Sequence, residues 1–579
     1  MANSVPSKTI VRRQRAHRLA FDPALHPVLA QVFASRRLAA VDEIEYSTAR
    51  LLPAETLLGI NEAVDLLVHH IEAASSMLIV ADFDADGATS CAVAMRGLRA
   101  LGADKLSYIV PNRFEYGYGL TPEIVAVAAK QQPALLITVD NGISSIDGVA
   151  AARSRGIDVL ITDHHLPGQH LPAANAIVNP NQPGDTFASK SLAGVGVMFY
   201  LLLALRARLR ETGWFSRRAM VPPNLAQLLD LVALGTVADV VPLDYNNRIL
   251  VEQGMRRIRA GQCCAGITAL LQIAGRNQRR LSTSDLGFAV GPRLNAAGRL
   301  QDMSLGIECL LCDDAAAALH VAQQLDDLNK ERRQIEATMR EQALEGIESA
   351  TDGVAPAMGV CVYQPDWHQG VVGLVAARMR EYLHRPVIAF ARCGEGELKG
   401  SARSIPGLHI RDTLDTLAAR YPGLIVKFGG HAMAAGLSLR EADYSEFSRR
   451  FDDIVAAQLS PEDLEDRLYS DGELAAEYLN AGVAELLRLA APWGQQFPEP
   501  VFDGVFRVLQ RRVVGDHHLK LVLEAASQRF DAIAFNTGED ILPDGTGDVH
   551  LAYRLDVNDY RGQQAAQLIV EHIAPLPTP

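Results

Sequence analysis

The sequence predicts an α/β protein in three parts: a parallel-sheet lobe, a long helix leading to a second α/β lobe, and an all-β barrel at the carboxyl end. Three patterns carry this. From Met77 onward, short apolar runs alternate with stretches of helical length, as in a parallel sheet covered by helices on both faces. Asp313 to Ile347 places apolar residues every three or four positions among charged ones (Asp326, Asp327, Lys330, Glu331, Arg332, Arg333), which suits a solvated spacer helix joining two lobes. From about Pro498, five segments alternate apolar with polar residues between turns, which suits a small closed barrel of the OB type.

Bulk properties narrow the class. A chain of 579 residues has mass for about three or four domains. Hydrophobic residues at 48% and charged residues at 21% exclude a disordered chain. The seven cysteines are odd in number, and the one Cys-x-x-Cys spacing, Cys309 and Cys312, has no second pair to suggest zinc, so they read as reduced thiols instead of a disulfide framework or a zinc site. Arg12, Arg13, Arg15 and Arg18 precede no apolar signal-peptide core, and no run approaches the roughly 18 apolar residues of a membrane span. A cytoplasmic protein with no membrane partner is the expectation. A net charge of −13 argues against a general nucleic-acid coat but leaves room for a local basic groove.

In chain order, residues 1–50 read as a basic, then mixed leader without an assigned site. Met77-Leu78-Ile79-Val80 reads as a buried strand, Ala88 to Leu101 as a helix, Lys105 to Pro111 as a strand, and Thr121 to Lys130 as a helix with a Thr-Pro entry. Ala134 to Val139 and Ile157 to Ile161 are further buried strands, with a helix from Ser145 to Arg155 between them. Beyond the long helix, Met358 to Tyr363 and Pro386 to Ala391 read as strands around a helix from Val371 to Tyr382. The barrel strands are expected at Val501–Val514, His518–Ala525, Phe530–Phe535, Val549–Val557 and Ala565–Ile573. Arg507, Arg511, Arg512 and Lys520 suit either a strand-binding face or an ordinary solvated one.

Chemistry concentrates where strands end. Directly after the first strand comes Asp82-Phe83-Asp84-Ala85-Asp86-Gly87. Alternation puts its three carboxylates on one face, where they repel unless a cation lies between them. The spacing also opens an EF-hand, but position twelve is Val93 instead of Glu and a strand precedes the loop. Taken alone, the stretch suits a metal site or a solvated acidic turn. Asp140-Asn141-Gly142 follows the second buried strand, Asp163-His164-His165 the third, and Asp239 ends the helix-like run Leu228 to Val237. Ligands of open parallel sheets bind beyond the carboxyl ends of strands, so this repeated placement points to one site. Asp516-His517-His518 repeats the Asp-His-His letters in a hairpin turn without partner acids, a chance match.

These residues resemble the DHH phosphoesterase superfamily, whose four signatures stand in order as Asp82-x-Asp84-x-Asp86-Gly87, Asp140-Asn141-Gly142, Asp163-His164-His165 and Asp239. The phrases Val110-Pro111-Asn112-Arg113-Phe114-Glu115 and Gly291-Pro292-Arg293-Leu294-Asn295-Ala296-Ala297-Gly298-Arg299 look like its branch of single-strand-specific 5′-3′ exonucleases. The resemblance runs from about residue 50 to the end. It implies a leader over 1–50, a catalytic domain over 51–312, a connecting helix over 313–348, a DHH-associated substrate domain over 349–460 and an OB-fold over 461–579.

It also implies residue roles. Asp140 would bridge two divalent ions, Asp84 would serve the first, and Asp86, His164 and Asp239 the second. Many members have a histidine four residues before the acid equivalent to Asp84. Here that position is Val80, which leaves Asp82 as the substitute ligand and favours Mn²⁺ or Mg²⁺ over zinc. His165 would contact phosphate, and Asp163 would orient the histidine pair. Arg293, Arg299, Ser401 and Arg403 would hold a 5′-phosphate, and Asn295 stands in the same phrase as the two arginines. Gly430 and His431 would grip the nucleic-acid backbone. Arg113, Tyr116 and Tyr118 would track unpaired bases, although Tyr116 stands where close relatives have an acid.

The implied activity is metal-dependent release of mononucleotides from the 5′ end of single-stranded DNA, in repair and recombination. Phosphodiester hydrolysis needs an activated water and charge neutralisation, which two ions a few ångströms apart supply, lowering a water's pKa from 15.7 to about 7. A phosphodiesterase of short oligonucleotides or cyclic dinucleotides is the alternative, and such enzymes lack the terminal barrel. Single-strand-binding protein and a helicase are the implied partners of a monomeric enzyme.

Overall fold

The computed structural model describes residues 8–14, 25–38, 40–112, 115–351, 357–394, 396–515, 518–537, 541–542, 546–560 and 563–576. Arg113 and the Asp516-His517 pair lie outside these. The chain forms two compact units, one of residues 1–13 with 330–470 and one of residues 14–329 with 471–579.

The larger unit holds the predicted parallel sheet. Its strands are β2 (Met77–Ala81), β3 (Leu106–Ile109), β4 (Leu135–Val139), β5 (Asp158–Thr162) and β6 (Ala176–Val178), in the order β3-β2-β4-β5-β6, following β1 (Thr9–Arg12) of the smaller unit. Every residue of β2 and β4 is buried, which is why these strands are continuous apolar runs without alternation. Helix Ala85–Ala100 packs on the sheet, antiparallel to helix Leu229–Ala238.

In the smaller unit β7 (Val360–Tyr363), β8 (Val387–Arg392), β9 (Glu397–Arg403), β10 (Lys427–Gly430) and β11 (Ala434–Arg440) form a sheet in the order β10-β11-β9-β8-β7. Only β7 and β8 run parallel, so this lobe is a mixed α/β sheet. Phe447 and Phe451 of helix Tyr444–Gln458 join Ile388 and Phe390 in its core. The predicted spacer is a helix over Ala315–Thr351, with the boundary between the units inside it.

Strand β12 (Arg467–Ser470) pairs in parallel with β1. The barrel then closes in the order β13-β14-β15-β17-β16 from β13 (Phe502–Val514), β14 (His518–Ala525), β15 (Gln528–Ala534), β16 (Asp548–Tyr560) and β17 (Gln563–Pro575). Leu519, Leu521 and Leu523 point inward, whereas Lys520 lies opposite Arg512 on the outer face. Lys520 pairs with Asp531 (3.2 Å) and Arg507 with Asp548 (3.5 Å), so part of the expected basic face is neutralised within the barrel.

The stretch expected as a leader is built into both units. Thr9–Arg12 is the β1 strand, and helix Pro27–Ser35 buries Val28, Val32 and Phe33 in the larger core. Arg36, just beyond that helix, forms a buried pair with Asp471 (2.6 Å) and lies over the Trp493 ring. All seven cysteines are free thiols. Among the described residues no helix is long and apolar enough to cross a membrane.

Candidate metal centre

The carboxyl ends of β2, β4 and β5 meet the end of helix Leu229–Ala238, and all the predicted acids collect there. Asp82 leaves β2 with its N–H on the Val139 carbonyl and accepts from Phe83 N–H (2.8 Å). Asp84 caps helix Ala85–Ala100, its Oδ1 accepting from Asp86 N–H (2.9 Å) and Gly87 N–H (3.1 Å). Asp86 lies in the first turn with both oxygens fixed, Oδ2 by Gly194 N–H (2.7 Å) and Oδ1 by Val195 N–H (3.0 Å). Asp140 has φ of 61°, a left-handed conformation that costs a non-glycine residue energy and often marks a functional position. Gly194 lies so close that a Cβ there would come within 2.6 Å of Asp140 Oδ1.

Asp163 is the organiser of the histidine pair. Its Oδ1 accepts from His164 N–H (2.7 Å) and His165 N–H (3.1 Å) and contacts His165 Nδ1 (2.8 Å), while Oδ2 accepts from Ile143 N–H (2.9 Å). His164 Nε2 then lies 3.1 Å from Asp140, 3.5 Å from Asp239 and 4.0 Å from Asp86. Three groups of ligand atoms gather within 4.8 Å of one another: Asp82 with Asp84 and Asp140, Asp86 with His164 and Asp239, and Asp140 with His164 and His165.

The electrostatics are those of an anion cluster under strain. Burial raises the pKa of Asp82 and Asp140 well above the usual carboxylate range, and neighbouring aspartates push further. Burial lifts Asp86 and Asp239 to about 7, helped by the charge of Asp239 on Asp86 and of Asp84 on Asp239. Burial and the charge of His165 lower His164, which favours the neutral imidazole that ligates metals. For His165 burial works downward, but the Asp163 hydrogen bond and charge overcome it and hold the group at about 9.

The donor set fits a divalent cation. Asp140 Oδ1 and His164 Nε2 are buried and, despite their 3.1 Å separation, have no hydrogen-bond partner among the described residues. A cation between them and the facing carboxylates satisfies both atoms and relieves the repulsion.

Helix Gly291–Leu300 backs this loop. Asn295 Oδ1 accepts from Ala85 N–H (2.9 Å), and a Cβ on Gly298 would lie 1.9 Å from the Phe83 carbonyl oxygen, so only glycine fits there. In the structure, Asn295 therefore positions the acidic loop. Arg293 of the same helix is paired with Asp326 (2.7 Å) and donates to the Ala289 carbonyl, and Arg299 is half-buried on it. Tyr118 is 50% exposed, with its hydroxyl 3.3 Å from His165 Nδ1 and its ring edge-on to both Phe83 and His165. Tyr116 packs against the apolar layer under the sheet and is only partly available to a base. In the smaller unit, Ser401 and Arg403 share one face of β9, with Arg403 Nη1 3.4 Å from Ser401 Oγ and donating to the Ala402 carbonyl at 2.8 Å. Gly430 has φ of 146°, and the exposed His431 donates its N–H to the Ala434 carbonyl. Sequence reasoning missed Gly194, Val195 and Ile143 as backbone donors to the site, and no motif letter marks them.

Comparison with known proteins adds to this geometry. Residues 76–236 match the DHH family, N-terminal domain; residues 357–457 match the DHHA1 domain; and residues 470–572 match the RecJ OB domain. Over 98% of its length, the chain is 54% identical to the single-stranded-DNA-specific exonuclease RecJ of Salmonella typhimurium, 99% of which is covered. The Escherichia coli protein of that name is 53% identical over the same shares. The chain belongs to the RecJ family. Its fold agrees with the crystal structure of RecJ in complex with Mn²⁺ from Thermus thermophilus, with a TM-score of 0.78 at 29% identity over 96% of this chain and 76% of that one. A second structure from that organism carries Mg²⁺, with a TM-score of 0.72 at 27% identity over 96% of this chain and 75% of that one. The architecture is thus the RecJ one: a parallel-sheet DHH domain, a DHHA1 domain and a closed five-stranded OB barrel.

Proposed function

We propose that this protein is a metal-dependent exonuclease that removes 5′-mononucleotides from single-stranded DNA in the 5′-3′ direction. The observation that carries this is the paired ligand cluster joined through Asp140, in a chain more than half identical to single-stranded-DNA-specific exonucleases along its whole length. Asp82, Asp84 and Asp140 would hold one ion and Asp86, His164 and Asp239 the other, with Asp140 shared. An all-carboxylate first set favours Mn²⁺ or Mg²⁺ over zinc, in keeping with the ions of the Thermus structures. Bound there, the ions supply Lewis acidity, polarising a water and neutralising charge that develops on the phosphate.

The chain supplies the positioning. Gly194 and Val195 N–H hold the Asp86 carboxylate in a single orientation. Asp163 fixes the backbone of both histidines, so that His164 turns Nε2 into the cluster. His165, kept protonated by Asp163, offers a positive donor to a phosphate oxygen at the cluster's edge, with Tyr118 beside it. Ser401 and Arg403 would bind phosphate, as would Arg293 and Arg299, and Gly430 and His431 would hold the backbone. The barrel would take the trailing strand. Domain limits of 51–312, 349–460 and 461–579, with a connector over 313–348, complete the reading. Roles in repair and recombination, alongside single-strand-binding protein and a helicase, belong to it too.

The test is one assay of end-labelled single-stranded DNA, duplex DNA, RNA and dinucleotides with Mn²⁺ or Mg²⁺. Mononucleotides released only from the 5′ end of the single strand are expected. Preferred hydrolysis of dinucleotides, or release from the 3′ end, overturns the proposal.

A further inference from the structure

Helix Gly291–Leu300 and the π-helical turn before it, Leu286–Val290, bring one more side chain to the rim of the metal centre. Gly287, Gly291, Asn295 and Gly298 are spaced by four, four and three positions, which aligns them along one side of this segment. All four meet elements that carry the metal ligands. A Cβ on Gly287 would lie 3.3 Å from Val237 Cγ1, and one on Gly291 3.2 Å from the Ala238 Cβ, in the two residues directly before Asp239. Asn295 and Gly298 reach the acidic loop through the Ala85 N–H and the Phe83 carbonyl. One position earlier in each turn, Leu286, Val290 and Leu294 fill the core. One position later than Gly287 stands Phe288, which is 77% exposed.

That ring is out of place for a packing role. The same turn already buries Leu286, Ala289 and Val290, so the core is complete without it. A π turn is rare, and such turns recur at functional sites. Val240, directly after Asp239, is 62% exposed, and the two side chains together are too small for the patches of several hundred Å² that protein partners cover. A cation lies against the turn instead, since Arg293 Nη1 donates to the Ala289 carbonyl (2.6 Å). An exposed aromatic face beside a guanidinium, at the edge of a site for phosphate chemistry, is the pattern by which proteins hold single strands.

We propose that Phe288 is a platform on which a base of the bound strand stacks, next to the phosphate at the metals. The proposal rests on the nuclease reading above and deepens it. Every base has a π-face, so the strand is gripped here without sequence preference.

The test is fluorescence anisotropy of 3′-labelled single-stranded DNA with the full-length protein in EDTA, where hydrolysis does not compete. A set of strands carries one abasic site at each successive position from the 5′ end. The parent is expected to lose about tenfold in affinity at one position near that end. Phe288→Ala should bind the intact strand about tenfold more weakly and show no penalty at that position, because the missing base has lost its partner. Phe288→Trp keeps a ring and should bind as the parent does, whereas Phe288→Leu keeps apolar bulk without a ring and should behave as Phe288→Ala. The exposed position makes unfolding of these variants unexpected, and equal melting temperatures verify that. Intact-strand affinity unchanged in Phe288→Ala, a parent indifferent to every abasic position, a penalty that survives in Phe288→Ala, or Phe288→Leu binding as the parent does overturns the proposal. The nuclease reading fails separately, if the parent releases no 5′-mononucleotide in Mn²⁺, because the stacking contact is read without hydrolysis.

Discussion

Replacing Asp140 with asparagine separates the cost of the cluster from its function. Asparagine tolerates the left-handed backbone at φ 61° and preserves volume, so the change removes charge without adding strain. The ligand atoms of Asp82, Asp84 and Asp140 lie within 4.8 Å of one another. At an effective dielectric of about 20, each like-charged pair at that distance costs about 3 kcal/mol. Proton uptake, which the raised pKa values of Asp82 and Asp140 favour, relieves much of this in the metal-free protein. A net gain of about 1–3 kcal/mol from removing one charge remains after that discount. At about 2–4 °C per kcal/mol, the metal-free Asp140→Asn protein is expected to melt a few degrees above the parent. Mn²⁺ binds the folded state alone, so its stabilising shift should shrink with affinity, and nuclease activity should fall to background. Differential scanning fluorimetry at about pH 8, in EDTA and in Mn²⁺, measures both shifts. A variant that melts below the parent in EDTA, yet gains as much from Mn²⁺, would refute the assignment of Asp140 to a shared site.

The same cluster sets a pH dependence. Asp86 and Asp239 sit at about 7 in the fold against about 4 when unfolded, so the native state holds protons that the unfolded state releases. Metal-free stability from these groups is complete below about pH 4 and is lost as pH rises through about 7. Melting in EDTA should fall between about pH 5 and 8, and a rise across that window contradicts the shifts. Asn295→Ala leaves Ala85 N–H without its acceptor, at a cost of about 1–2 kcal/mol. Weaker Mn²⁺ binding, read by the free-ion EPR signal, should accompany the lower melting point, whereas unchanged affinity would limit Asn295 to stability. Arg36→Ala removes the guanidinium from the buried Asp471 carboxylate, which keeps the Val501 N–H (3.1 Å), and should destabilise the larger unit by about 1–3 kcal/mol in denaturant titrations, with Asp471→Ala added to it recovering part. Arg403→Ala should erase a preference for 5′-phosphorylated ends more than it slows hydrolysis. Equal loss on phosphorylated and unphosphorylated strands counts against a phosphate role.

What could be read from the sequence, and what could not, divides along a physical line. The acids Asp82, Asp84, Asp86, Asp140 and Asp239 were findable because apolar runs announce buried elements, and chemistry collects where such elements end. Both signals are local. The donors that orient those acids are not local: Gly194 N–H reaches Asp86 across 108 positions, and every residue but proline has such an N–H. Asn295 shows the same limit in a side chain. It stands in an arginine-bearing phrase and reads as a substrate group, yet its oxygen faces the Ala85 N–H, because letters give donor and acceptor types without their direction. Residues 1–50 read as a leader because basic residues dominate the start, although His26-Pro27 is a helix entry and Val28, Val32 and Phe33 lie on one helical face. The β1 strand had no comparable signal, since its four residues pair with Arg467–Ser470, more than 450 positions along the chain, and partners that distant leave no periodic trace. Arg36 was equally illegible, because an arginine in a basic run is ordinarily solvated. Its burial against Asp471 and Trp493 follows from long-range packing alone.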